Sequence, residues 1–191
     1  MCQAALAYAR RGWVVFPCSN ETKRPLLPRE TDAAGKPIKG TGGLTKATTD
    51  EAQILAWWKR WPNAMIGLPA GAEWFVLDFD PRTDTDTGEV WTLDRLKRQL
   101  EEQMGCALPR SLTGMTQSDG VHVYFRQPEG EPIRNRGNLP DHVDVRGVGG
   151  YVIAPPSVMA SGARYRWLDR GDWRDPAALL EAPAEVPLRI F

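Results

Sequence analysis

The spacing of apolar residues along the chain predicts three helices before residue 105. An alanine-rich helix is expected over residues 2–11, with Gly12 as its C-terminal cap. A second helix is expected to begin at a capping box over residues 48–51 and to end at Pro62. A third helix is indicated by apolar residues that share one helical face, with charged residues on the other: Leu93, Leu96, Leu100 and Met104.

Short apolar runs bounded by glycine and proline predict strands over most of the remaining chain. They are expected at residues 13–17, 64–68, 74–79, 112–116, 121–126, 143–146, 151–154 and 164–167. Residues 18–47 show no periodicity and are expected to form a long loop of the kind that is functional or mobile. Asp175 is expected to cap a short terminal helix. Because helices and strands do not alternate regularly, the pattern predicts an α+β fold with largely antiparallel sheets.

Composition excludes several classes of protein but does not indicate a specific function. The 191 residues include 24 Lys and Arg against 24 Asp and Glu, so any nucleic-acid-binding face must be local and balanced by acids elsewhere. No apolar run approaches the roughly 20 residues of a membrane helix, and no secretory signal begins the sequence. Three dispersed cysteines indicate reduced thiols in a cytoplasm and exclude a cysteine-rich zinc site.

The strand predicted at residues 74–79 leads into two acids, Asp78 and Asp80. Alternate strand residues share a face, so these carboxylates would project to the same side, about 6–7 Å apart at their backbones. Such a pair is costly unless a cation neutralises it, and Mg²⁺ or Mn²⁺ prefers hard oxygen ligands of this kind. A strand that simply ends in two solvated acids fits the same pattern, so both interpretations stay open.

Two further strands carry polar residues among valines. His122 follows Gly120, which permits close backbone approach to a ligand, although a lone histidine often serves only as a structural hydrogen-bonding group. Asp144 and Arg146 share one face of the strand at 143–146. They suit metal binding beside phosphate binding, or an ordinary surface ion pair.

In their order along the chain, these motifs resemble the prim-pol domain of the archaeo-eukaryotic primase superfamily. The sequence is most similar to the bifunctional DNA primase/polymerase N-terminal domain of phage and plasmid replication proteins. The similarity extends over about residues 4–168 and includes segments 12–17, 23–26, 47–50, 57–58 and 66–69. Asp119 departs from the family, which often has glycine at that position.

The resemblance implies a fold and a set of site residues. The implied fold is a small N-terminal α/β part packed on an RRM-like, mostly antiparallel sheet, with the active site in the cleft between them. Two divalent ions, Mg²⁺ or Mn²⁺, would be held by Asp78, Asp80 and Asp144. The incoming nucleotide would be contacted by His122, which is also counted as catalytic, and by Ser118, Gly120, Arg146 and Lys23.

The function implied is that of a template-directed nucleotidyltransferase, a DNA primase and DNA polymerase. Its expected partners are a single-stranded DNA template and primer, nucleoside triphosphates, and a helicase domain or helicase partner, with no membrane. Residues 1–191 are expected to form one catalytic domain, acting in the cytoplasm of a bacterial or archaeal host. A non-catalytic nucleotide- or DNA-binding module and a metal-dependent nuclease are the alternatives. A phosphate-binding loop at residues 40–46 is excluded, because the Gly-Lys-Ser/Thr ending is missing.

Overall fold

The computed structural model describes residues 1–71, 73–137 and 139–168, which form a mixed α/β structure with antiparallel sheets. The helices are α1 (Cys2–Ala9), α2 (Glu51–Arg60) and α3 (Leu93–Met104). The strands are β1 (Phe16–Cys18), β2 (Met65–Pro69), β3 (Trp74–Phe79), β4 (Arg82–Thr83), β5 (Val90–Trp91), β6 (Thr113–Met115), β7 (Val121–Arg126), β8 (Val143–Arg146), β9 (Tyr151–Ala154) and β10 (Arg166–Trp167). The helix expected from Asp175 lies outside the described residues.

The described chain divides into two units. Unit 1 comprises residues 1–69 and 151–166, and unit 2 comprises the described residues of 70–150 together with 167–168. In unit 1 the strands form an antiparallel sheet in the order β1-β2-β9. Its core includes Phe16, Cys18, Met65 and Ile153, which are all buried. Gly67 must lack a side chain, because a Cβ there would lie 2.5 Å from the ring of Phe16.

Two details of unit 1 differ from the sequence-based expectation. The capping box is wrong: Asp50 is the N-cap of α2, and its Oδ1 accepts from the N–H groups of Ala52 and Gln53 at 2.8 and 3.2 Å. β1 starts at Phe16 rather than at residue 13. The N–H of Trp13 instead donates to the carbonyl of Tyr8 at 3.1 Å, which ties this part of the chain to the end of α1.

Unit 2 is built on a five-stranded sheet in the order β10-β6-β7-β3-β8. Pairs β6–β7, β7–β3 and β3–β8 are antiparallel. Alternation along each strand directs apolar side chains to one face, where they form a buried cluster with one face of α3. Its members include Phe75, Leu77, Phe79, Leu96, Leu100, Met104, Val121, Val123, Phe125, Val143 and Val145. On the opposite face, β3 carries the buried Trp74 and Val76 as well as Asp78, and β7 carries His122 beside the buried Tyr124.

The ends of α3 and a small hairpin complete unit 2. Thr92 caps the N-terminus of α3 by accepting from the N–H of Arg95, and Gly105 ends it in a left-handed conformation with φ 70°. The hairpin β4–β5 is not predicted from the sequence, since its two-residue strands are largely exposed and show no alternation. Asp84 closes the turn between them, because its Oδ1 accepts from the N–H groups of Asp86 and Thr87.

Candidate active site

Three adjacent strands of unit 2 bring polar residues to one level of the sheet. On β3, Asp78 lies directly opposite His122 of β7 on one side and Asp144 of β8 on the other. Directly opposed residues of antiparallel strands share a face, with Cβ atoms about 4.5–5.5 Å apart. Register therefore assembles residues that are far apart in sequence into one group, and Asp78 is its centre.

The carboxylate of Asp78 is held by a histidine and an arginine. Nε2 of His122 lies 3.4 Å from Oδ1 of Asp78, and the two side chains are only 8% and 19% exposed. Burial by itself would raise the pKa of Asp78. The hydrogen bond and charge of His122, together with the positive charge of Arg146, outweigh burial and hold the pKa of Asp78 below its ordinary value. The charged form of Asp78 is thus stabilised in the folded chain.

Arg146 bridges the two acids that face each other across β3 and β8. Its Nε and Nη2 donate to Oδ2 of Asp78 at 3.2 and 3.1 Å, and Nη2 also donates to Oδ2 of Asp144 at 2.9 Å. The crowded carboxylates expected from the sequence are therefore neutralised in part by a cation from the chain itself. The two carboxylates and the guanidinium together carry a net charge of about −1, which still favours a further cation.

Asp80 lies one residue beyond the end of β3 and is exposed. Its N–H donates to the carbonyl of His142 at 3.0 Å, which continues the pairing of β3 with the chain before β8. Among the residues that the structure describes, no group of three His, Cys, Asp or Glu side chains is arranged to hold a metal ion. The opposed carboxylates of Asp78 and Asp144 do present the hard oxygen donors that Mg²⁺ and Mn²⁺ prefer. The three-aspartate metal set stays a prediction.

The turn before β7 explains both Gly120 and the unusual Asp119. A Cβ at Gly120 would lie 2.5 Å from the carbonyl oxygen of Phe79, so only glycine fits beside β3. Asp119 has φ 61°, the left-handed region in which glycine is most stable and Asp is tolerated. Ser118 is exposed in the same turn, and its hydroxyl lies 3.4 Å from that of Thr116. A role for this turn in holding a nucleotide stays a prediction.

Lys23 belongs to unit 1, in a turn that starts at Ser19. Its N–H donates to the carbonyl of Ser19 at 2.9 Å, and its own φ is 63°. The hydroxyl of Tyr151, on β9, donates to the carbonyl of Lys23 at 3.2 Å and fixes this turn to the sheet of unit 1. The proposed contact of Lys23 with a nucleotide is not tested by these interactions.

A segment beside β8 was missed by the sequence analysis. Arg136 exchanges two backbone hydrogen bonds with Val145, which places the segment along the outer edge of β8. A Cβ at Gly137 would lie 3.1 Å from Oδ1 of Asp144, so glycine keeps space beside that carboxylate. The polar run that contains Gly137 has no apolar periodicity, and only the register of the folded chain shows its position.

Comparison with known proteins identifies the family. No curated protein matches the chain significantly. None of the helices in the described residues is long and apolar enough to cross a membrane. The family model described as "Bifunctional DNA primase/polymerase, N-terminal" matches residues 5–188, nearly the whole sequence. The chain therefore belongs to the Prim-Pol family of N-terminal domains of bifunctional DNA primase/polymerases.

Proposed function

We propose that this chain is a template-directed nucleotidyltransferase that extends a DNA primer annealed to single-stranded template. One observation carries the proposal: Asp78, His122 and Asp144 lie side by side on three adjacent strands, with Arg146 between the two acids. Membership of the Prim-Pol family supports the reaction class. The strand order β8-β3-β7-β6, with α3 between β3 and β6, supports an RRM-like arrangement of this sheet. The cleft expected between the two parts of the fold stays a prediction.

Each side chain of the site has a role that its surroundings support. Asp78 and Asp144, with Asp80 from the end of β3, would hold Mg²⁺ or Mn²⁺. A pair of such ions would supply activation of the primer hydroxyl and stabilisation of the leaving pyrophosphate. Asp78 orients the ring of His122 through the 3.4 Å contact, which suits His122 to contact phosphate oxygens of the incoming nucleotide.

Arg146 contacts the proposed metal-binding aspartates and is also a proposed phosphate-binding group. Its guanidinium holds carboxylate oxygens of both Asp78 and Asp144, the same atoms that would serve a metal ion. The two cations therefore compete for these donors, and an arginine released from them retains the planar fork that binds phosphate through two hydrogen bonds. Ser118, Gly120 and Lys23 complete the proposed nucleotide contacts.

A labelled primer annealed to a template, incubated with Mg²⁺ and nucleoside triphosphates, distinguishes the three candidate functions. Extension supports the polymerase, shortening supports a metal-dependent nuclease, and an unchanged primer supports a non-catalytic module. Reactions on the same template without primer test initiation. The proposal is contradicted if the primer is shortened or unchanged with either Mg²⁺ or Mn²⁺.

A further inference from the structure

The formal neutrality of the chain conceals two oppositely charged units. Residues 1–69 and 151–166, which make up unit 1, contain 12 Lys and Arg against five Asp and Glu, a net charge of about +7. Residues 70–150 of unit 2 contain nine against 14, a net charge of about −5. Phosphate groups are therefore attracted to unit 1 and repelled by the acids of unit 2. A nucleic-acid contact that depends on phosphate should be sought within unit 1.

The long loop of unit 1 is closed by its own hydrogen bonds. The N–H of Gly43 donates to the carbonyl of Leu27 at 3.0 Å, and the N–H of Ile38 donates to that of Glu30 at 2.7 Å. The Asp32 carboxylate closes a tight turn by accepting from two N–H groups at 3.0 and 2.9 Å. Leu27 is buried in the core of unit 1 and anchors the loop. The cations of the loop are thus carried on an ordered surface: Lys23, Arg24, Arg29, Lys36, Lys39 and Lys46.

A groove of about 550 Å³ lies where this loop meets the start of α2. It is lined by an ammonium group, an indole ring and two hydroxyl groups, from Lys46, Trp57, Thr45 and Thr48. Trp57 is half-buried, with part of its side chain against the core of unit 1. Lys46 lies 3.5 Å from Glu30, but both side chains are about a third exposed or more, so this pair is weak. The lining acid, Asp50, accepts two N–H groups of α2, which offset its charge.

We propose that this groove binds one nucleotide of single-stranded DNA, with its base against Trp57 and its phosphate against Lys46. Base–aromatic stacking beside a cationic groove is the general way in which proteins hold single strands without reading sequence. The net charge of unit 1 selects a polyanion over other ligands, and the indole selects one that carries flat rings. The proposal rests on the proposed function, since the DNA concerned would be the template strand.

The test is a fluorescence anisotropy titration of labelled oligothymidine, without metal or nucleotide, over a series of salt concentrations. Lys46→Gln should reduce the slope of log affinity against log salt by about 0.7, the loss of one phosphate contact. Lys59→Gln is the matched control, because Lys59 is exposed on α2 of the same unit and does not line the groove. Its slope should equal that of the wild type. Trp57→Leu should weaken binding by about fivefold or more, with little change in slope.

The outcomes separate this inference from the proposed function. The proposed DNA-binding role of the groove would be overturned if the salt slope fell equally in Lys46→Gln and Lys59→Gln. It would also be overturned if the slope did not fall in Lys46→Gln. If Trp57→Leu lowers the melting temperature, its weaker binding could reflect a perturbed fold, and the result for Lys46→Gln alone then tests the proposal. If Lys46→Gln binds a free nucleoside triphosphate more weakly but binds oligothymidine as the wild type does, the groove is a site for free nucleotides. That result would also overturn the proposal. A wild-type chain that never extends a primer, while Lys46→Gln loses DNA affinity, would reject the polymerase and keep the groove.

Discussion

Replacing Asp78 by Asn tests whether the candidate site stabilises the folded chain in the absence of metal. Two crowded carboxylates considered alone would repel, so the sequence by itself suggests that removing one should leave stability unchanged or raise it. The contacts of Arg146 and His122 reverse that expectation, because they hold the charged form of Asp78. We therefore expect Asp78→Asn to be less stable than the wild type at pH 7.

The size of the effect follows from the contacts. Hydrogen bonds to charged groups contribute about 1.5–3 kcal/mol each. Arg146 is 38% exposed, so water screens its charge, and an Asn oxygen can still accept one bond. We expect the free energy of unfolding to fall by about 1.5 kcal/mol, near the lower end of that range. A loss of that size corresponds to a melting temperature lower by about 3–6 °C for a chain of this length.

The pH dependence has a defined sign. The pKa of Asp78 is lowered in the folded chain, so its contribution to stability is present above the unfolded value of about 3.9 and is lost as pH falls through the folded value. In thermal melts, the wild type and Asp78→Asn should show the whole expected difference in melting temperature at pH 7, and their melting temperatures should converge below about pH 4. Asp80→Asn, two residues on and exposed, is the control and should change stability by less than about 0.5 kcal/mol. Equal or higher stability of Asp78→Asn at pH 7 would refute the argument.

The site and the turn beside it support three further predictions. His122→Ala should raise the KM for nucleotide more than it weakens DNA binding; lower DNA affinity with an unchanged KM would assign the ring to the template. Arg146→Gln should bind Mn²⁺ more tightly than the wild type in a nucleotide-free titration followed by electron paramagnetic resonance, because a competing cation is gone; weaker binding would contradict the competition. Gly120→Ala should lower the free energy of unfolding by about 1–3 kcal/mol, since its Cβ would meet a carbonyl oxygen at 2.5 Å. Gly71→Ala, where nothing lies within 4 Å, is its control in the same denaturant titration, and equal losses in the two variants would refute the steric argument.

Much of the fold could be predicted because several of its strands are apolar runs with clear turn residues at both ends. The bounds of β3, β7, β8 and β9 agree with the expected ones, since each is a short run rich in apolar residues between turns. Predictions based on weaker sequence signals failed where contacts in the folded chain determine the local structure. The capping box expected at residues 48–51 does not form, because Thr48 exchanges backbone hydrogen bonds with the distant Val15, and Asp50 accepts the N–H groups of α2 instead. The hairpin β4–β5 has too few residues to show a period.

The candidate site residues could be proposed from the sequence, but their arrangement could not be predicted. Strand alternation correctly places Asp144 and Arg146 on one face, opposite the valines of the core. It does not reveal the register that sets Asp78 between His122 and Asp144, because pairing depends on contacts between distant segments. The bridging position of Arg146 depends on that register and is therefore known only from the structure.

The most direct test of the account compares wild type with Asp144→Asn in single-turnover extension of a labelled primer with Mg²⁺. This substitution keeps the shape of the side chain and leaves Arg146 paired with Asp78, so the fold should survive, as a melting curve can verify. We expect the wild type to add the nucleotide complementary to the template and the variant to be slower by about a hundredfold or more. Extension at the wild-type rate by folded Asp144→Asn would contradict the claim that this group of residues is the catalytic site.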